Sequence, residues 1–199
     1  ILSQEQKLCN RLGTLPDDFA FSTQQFRYQE SNLDRLIFGA SEYCKDGLMP
    51  ITEFIGPSPW LDRMQQLVRD VWANAEVESP VGPIPTKNVE VNGDLMEVMS
   101  RLYWMTGDAS YREGCYRLMD YYSFHEPLLK LSTISLRDHG CEIIAGMSEV
   151  YFVAAREDRA RWEKYKPPMH ALLDAILAKG VNEDGLMPSW FNPATGEKA

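Results

Sequence analysis

The chain is short of nearly every residue pattern that announces a chemistry. Its 199 residues include four cysteines (Cys9, Cys44, Cys115 and Cys141) with no CxxC spacing, so no zinc-type ligand set is expected and buried reduced thiols are the simpler reading. Only three histidines occur, His125, His139 and His170, scattered too widely to sign a metal site, and neither metal nor other cofactor is expected. Neither GxSxG, a P-loop, GxGxxG nor HExxH is present, which removes the common hydrolase, nucleotide, dinucleotide and zinc-peptidase signatures. No apolar run approaches the roughly 18–20 residues that a membrane span needs. Basic residues are in deficit, 20 against 29 acidic for a net charge of −9, and no Lys/Arg cluster reverses this locally. Nucleic acid is therefore not an expected partner, since its binding depends on neutralising phosphates. The absence of any Asn-x-Ser/Thr sequon argues against heavy glycosylation. The chain starts at Ile1 without Met or a signal-peptide pattern, which reads as a processed product or a piece of something longer and assigns no compartment.

What is present is helix periodicity. Leu61, Met64, Leu67, Val68, Val71 and Trp72 follow i, i+3, i+4 spacing, as do Leu95, Val98, Met99 and Leu102. Tyr111, Cys115, Leu118, Met119 and Tyr122 form a further stripe, followed by Ile143, Met147, Val150 and Ala154, then Met169, Leu172, Leu173, Ile176 and Leu177. No run alternates as a strand would, so the expected class is all-α, one hairpin-repeat domain over residues 1–199 with an irregular segment at 1–27. Helices are predicted near 61–77, 93–106, from 109, 140–155 and 159–179, with Pro167-Pro168 expected to kink or split the last. Pro50, Pro57 and Pro59 leave one clear helix between Asp46 and Asn92, and residues 47–60, 78–91 and 185–196 read as long loops.

A period runs through this pattern. Asp46-Gly47, Asn92-Gly93, Asp138-His139-Gly140 and Asp184-Gly185 recur every 46 residues, and the outer two extend to the same Asp-Gly-Leu-Met-Pro. Met99-Ser100-Arg101-Leu102-Tyr103-Trp104 also matches Met147-Ser148-Glu149-Val150-Tyr151-Phe152, apolar on apolar, at an offset of 48. A repeat of this length denotes one supersecondary unit, here an αα-hairpin of about 46 residues.

Hairpins of this length, with long loops between them, resemble the (α/α)6 toroid or six-hairpin enzymes, which include many glycoside hydrolases and polysaccharide lyases. Leu102-Tyr103-Trp104-Met105-Thr106-Gly107-Asp108-Ala109-Ser110-Tyr111 is similar to a turn common in that group, Asp138-His139-Gly140-Cys141-Glu142 to the start of one of its inner helices, and Asp184-Gly185-Leu186-Met187-Pro188 to its aromatic-bearing loop. The likeness covers most of residues 30–196 and implies a fold more than a reaction. Such rings need about twice this length to close, so the resemblance implies a partial ring, completed by further hairpins of the same gene product or another subunit.

In that picture a site lies where loops meet the N-termini of inner helices. Glycoside hydrolysis requires two carboxyls, one protonated and one ionised. The expected catalytic set is Asp138, His139, Glu142 and Asp184, with Asp138 paired to Glu142 or to Asp184. Trp190, Phe191, Trp60, Asn92 and Arg137 are expected to bind a carbohydrate substrate. The competing reading makes Asn92 and Asp138 helix caps, Asp46 and Asp184 turn residues, and Trp190-Phe191 a plug on the helical array. The acidic balance favours a hydrolase of neutral sugar over a lyase of the same fold. A non-catalytic helical-repeat binding protein and a toroid enzyme with a Met-lined cavity for a terpenoid-like substrate are the alternatives.

Overall fold

Side-chain caps at Asn88, Asp108 and Asp158 fix where three of the helices begin in the computed structural model, which describes residues 18–20, 25–27 and 33–199. Cys9 and most of the segment 1–27 lie outside the described residues. Contacts divide the chain into two compact units. One holds the residues up to Val77 with Pro83–Lys87, and the other holds Glu78–Gly82 with Asn88–Ala199. The described residues are mostly helical, with two short antiparallel strand pairs that the sequence pattern does not announce.

In the first unit, β1 (Asp18–Ala20) pairs with β2 (Gln25–Arg27). Helix α1 (Leu33–Glu42) continues through a π-helical stretch, Tyr43–Leu48, into α2 (Met49–Ile55), and α3 spans Pro59–Ala73. This corrects the expectation of a loop over 47–60 with a single helix between Asp46 and Asn92. Pro59 falls in the first turn of α3, after the extended Ser58, where the missing N–H has no intrahelical partner to lose, whereas Pro50 lies inside the continuous helical run, just past the π-helical stretch. Ile37, Ala40, Cys44, Leu48, Met64, Leu67 and Val71 are buried in this unit.

In the second unit, α4 (Val89–Thr106) starts a turn earlier than the apolar stripe indicates. Asn88 caps it, its Oδ1 accepting the amides of Glu90 at 3.0 Å and Val91 at 3.4 Å. Gly107, at φ 73°, ends it, and Asp108 caps α5 (Ala109–Asp120) at once. After a π-helical stretch at Tyr121–His125 the chain passes through β3 (Ile134–Ser135) to α6 (Glu142–Glu157). Asp158 alone separates α6 from α7 (Arg159–Lys179), and β4 (Trp190–Phe191) returns antiparallel to β3. Pro167 and Pro168 do not split α7, which runs unbroken from Arg159 to Lys179. The carbonyls they leave without amide partners belong to Glu163 and Lys164, both exposed, where water can replace the lost bonds.

Helices α4 and α6 run parallel and touch along their length. Gly93 meets Gly146, Arg101 binds Glu149 at 2.6 Å, and Arg156 lies over the Trp104 ring at 5.6 Å, so contacts advance in the same direction on both helices. Neither glycine can carry a side chain. A Cβ on Gly93 would collide with the backbone of Glu142 and Ile143, and one on Gly146 with the carbonyl of Gly93. Around this contact Leu95, Met96, Met99, Leu102, Ile143, Met147 and Val150 are buried, each worth roughly 1.5–3 kcal/mol against exposure. Helices α5 and α7 are linked by the Tyr116–Tyr165 ring pair (centroids 6.2 Å apart) and by Asp120, which takes Lys164 at 2.8 Å and Arg161 at 3.4 Å. In the α7 stripe Met169, Leu172 and Ile176 are buried while Leu173 and Leu177 face outward.

Candidate functional site

The parallel pairing of α4 and α6 brings two helix N-termini to one end of the second unit. Glu90 is the second residue of α4, and the turn ahead of α6 carries Asp138, His139 and Gly140. His139 Nδ1 lies 2.6 Å from Glu90 Oε1, and its Nε2 lies 3.5 Å from Asp138 Oδ2. An imidazole is thus bracketed by two carboxylates, one largely shielded and one exposed. The Glu90 side chain is 11% exposed, those of His139 and Asp138 62% and 86%.

Backbone geometry holds this arrangement. His139 adopts φ 65°, a left-handed conformation that costs a non-glycine residue of order 1 kcal/mol or more and must be imposed by its surroundings. Its amide donates to Glu142 Oε1 at 3.3 Å, and Glu142 is buried in the first turn of α6. The next residue must be glycine, because a Cβ on Gly140 would strike the side chain of Ser135 on β3. Strand β3 is in turn held by β4 and by the Leu136 amide, which donates to the Ser189 carbonyl at 2.9 Å.

A cleft of about 300 Å³ opens between the start of α4, the segment 128–135 and the turn at 139–140. Glu90, His139, Ser135 and Thr133 give it hydrogen-bonding groups, and Leu128, Leu131, Ile134 and Ile143 give it an aliphatic wall. With Nδ1–H donating to the Glu90 carboxylate, Nε2 is left to accept a proton, and the protonated ring can donate at both nitrogens. The two helix N-termini add a positive dipole end to the same place.

The expected site residues are distributed unevenly around this cleft. His139 lines it, and Asp138 stands beside His139, 86% exposed, without lining the cleft itself. Glu142 is adjacent, with one oxygen holding the His139 backbone. Asp184 is exposed in a turn organised by Asn182, whose Oδ1 accepts the amides of Asp184 at 3.0 Å and Leu186 at 2.8 Å, and it does not line the cleft. Arg137 is exposed, its carbonyl accepting the Cys141 amide at 3.1 Å. Asn92 is fully buried and donates to the Tyr122 hydroxyl at 2.9 Å, so it ties α4 to the π-helical stretch at Tyr121–His125, and it does not line the cleft. Burial pushes that hydroxyl up to about 12. Phe191 is fully buried and serves as a plug, which removes it as a substrate platform; Trp190 keeps partial exposure but does not line the cleft. Trp60 is the second residue of α3 in the first unit.

Asp46-Gly47 sits in a π-helical stretch, Asn92-Gly93 inside α4, Asp138-His139-Gly140 in a turn before α6, and Asp184-Gly185 in a turn after α7. The four copies of the 46-residue period therefore do not share a conformation. Cys44 and Cys115 are buried thiols, whereas Cys141 is exposed. Glu90 was not among the residues that the sequence singled out. Its signal was Asn88, a cap placed two residues ahead of it, which moves the helix start back from 93 to 89.

Compared with models of known protein families and with curated protein sequences, the chain matches none. Among the described residues, no helix is long and apolar enough to cross a membrane.

Proposed function

We propose that the second unit is part of an (α/α) toroid of hairpin repeats and that its cleft hydrolyses a glycosidic bond in a neutral carbohydrate. The observation that carries this reading is the His139 imidazole held between Glu90 and Asp138 at the mouth of a cleft formed by helix N-termini. Two further features support it. The hairpins α4–α5 and α6–α7 place their parallel first helices side by side, and their turns of one or two residues lie at the end away from the cleft. The offset of 48 between matching helical segments corresponds to the Arg101–Glu149 ion pair across the same two helices.

In this reading Glu90 orients His139 and keeps its Nε2 available for proton transfer, and Asp138 is the second carboxyl that glycoside hydrolysis requires. The pairing thus becomes Asp138 with His139, oriented by Glu90, in place of Asp138 with Glu142 or Asp184. Glu142 positions the turn. The test is hydrolysis of a panel of neutral glycosides by the purified chain, followed by Asp138→Asn, His139→Ala and Glu90→Gln. Each variant is expected to lose at least about 100-fold in kcat. Full activity in all three, or turnover of no glycoside in the panel, removes the assignment.

A further inference from the structure

Among the described residues, the aromatic platform expected for a polymeric sugar does not form in this cleft: Phe191 is buried in the core, and no Trp, Tyr or Phe side chain lines the walls. What lines them opposite the polar groups is aliphatic. Leu128, Ile134 and Ile143 are buried side chains that expose their last surface to the cleft, and Leu131 is half-exposed at its edge. The volume, about 300 Å³, is at the small end of ligand sites, room for one ring and a modest substituent more than for a chain of sugars.

We infer that the ligand of this cleft is a small glycoside carrying an apolar alkyl or aryl aglycone, which the Leu128–Leu131–Ile134–Ile143 wall takes while Glu90 and His139 face the sugar. The physical reason is desolvation. An unsubstituted oligosaccharide would set hydroxyls against side chains that cannot bond them, and each unpaired hydroxyl weakens binding. An alkyl group gains on the same surface, roughly fourfold in affinity for each methylene removed from water. A wall of four aliphatic side chains therefore selects for an apolar group and against a second sugar.

The inference rests on the reading of the cleft as a glycoside site, and the test separates the two. Dissociation constants are measured by calorimetry on the full chain for methyl, n-butyl and phenyl glycosides of the sugar that is turned over, or of glucose, galactose and mannose if none is, and for the matching disaccharide. The expected result is n-butyl and phenyl glycosides binding at least about tenfold more tightly than methyl glycoside or disaccharide. Leu131→Asn, at a half-exposed position that tolerates a polar side chain, is expected to reduce that difference severalfold with the circular dichroism spectrum unchanged. Preferential binding of the apolar glycosides without turnover supports the ligand class and overturns the hydrolase. Turnover with disaccharide bound as well as the butyl glycoside leaves the hydrolase standing and overturns the ligand class. A preference that survives Leu131→Asn undiminished, or no binding of any glycoside, overturns it as well.

Discussion

His139 Nδ1 and Glu90 Oε1 lie 2.6 Å apart although the residues are 49 positions apart in the chain. Helix α4 supplies the carboxylate and the turn before α6 supplies the imidazole, so the pair exists only because the two helices start side by side. A carboxylate on Nδ1 fixes which ring nitrogen carries the proton. Glu90→Gln keeps the shape but removes the charge. It is expected to lower kcat by about 100-fold or more with little change in KM, read by steady-state kinetics on the best glycoside of the panel. An equal loss for Glu142→Gln in kcat alone would move the catalytic role from Glu90 to Glu142.

The site's geometry depends on Gly93 and Gly146, where α4 and α6 meet backbone to backbone. Gly146→Ala places a methyl group where the Gly93 carbonyl stands. Ala is the better helix former in isolation by about 1 kcal/mol, so propensity alone predicts stabilisation. Steric overlap at a backbone contact wins, and a net loss of about 2 kcal/mol is expected in urea unfolding. A variant as stable as the parent would show that the helices stand further apart than described.

The Arg101–Glu149 pair crosses the same interface further along, at 2.6 Å, with side chains 39% and 27% exposed. Partial exposure limits its value to about 0.5–1 kcal/mol of coupling in a double-mutant cycle with Arg101→Met and Glu149→Gln. Roughly 1 M salt should reduce that coupling, because the Debye length falls to about 3 Å.

Alkaline pH tests the interior. Burial pushes the Cys115 thiol from its ordinary 9.0 up to about 12, against a smaller opposing effect of the Ser100 hydrogen bond. Burial also raises the Tyr122 hydroxyl from 10.0 to about 12. A raised folded-state value means that the unfolded chain releases its proton first as pH rises. The stabilisation is therefore complete below about pH 9 and is lost toward pH 12. Urea midpoints should fall across this window, and Cys115→Ala should flatten the part of the decline that starts near pH 9. An unchanged slope in that variant would mean that the thiol is solvated.

Helix positions were legible wherever apolar spacing and caps agreed. Asp108 and Asp158 mark the starts of α5 and α7 in the sequence, and both accept an amide of the following turn, from Ser110 at 2.9 Å and Arg161 at 3.0 Å. Legibility failed where a local signal had two meanings. A proline can interrupt a helix or open one, and sequence alone did not decide which applied: Pro59 opens α3, while Pro50 is carried inside the continuous helical run past the π-helical stretch. Asn92 reads as a cap because Asn is a preferred N-cap residue and it stands just ahead of an apolar stripe, yet Asn88 holds the amides and Asn92 lies in the core. The 46-residue spacing located the Asp138-His139-Gly140 turn without revealing that its other marks serve different backbone conformations.

The sequence by itself determined the helical class, most helix spans and the identity of Asp138 and His139 as residues to watch. These follow from interactions within a few residues: the 3.6-residue period, capping hydrogen bonds and turn-forming residues. The parallel contact of α4 and α6 was decided only by tertiary structure, and with it the meeting of Glu90 and His139 and the burial of Phe191. These arise between residues about 50 positions apart, where the outcome depends on how closely two backbones approach, and that distance is set by the two glycines at their contact.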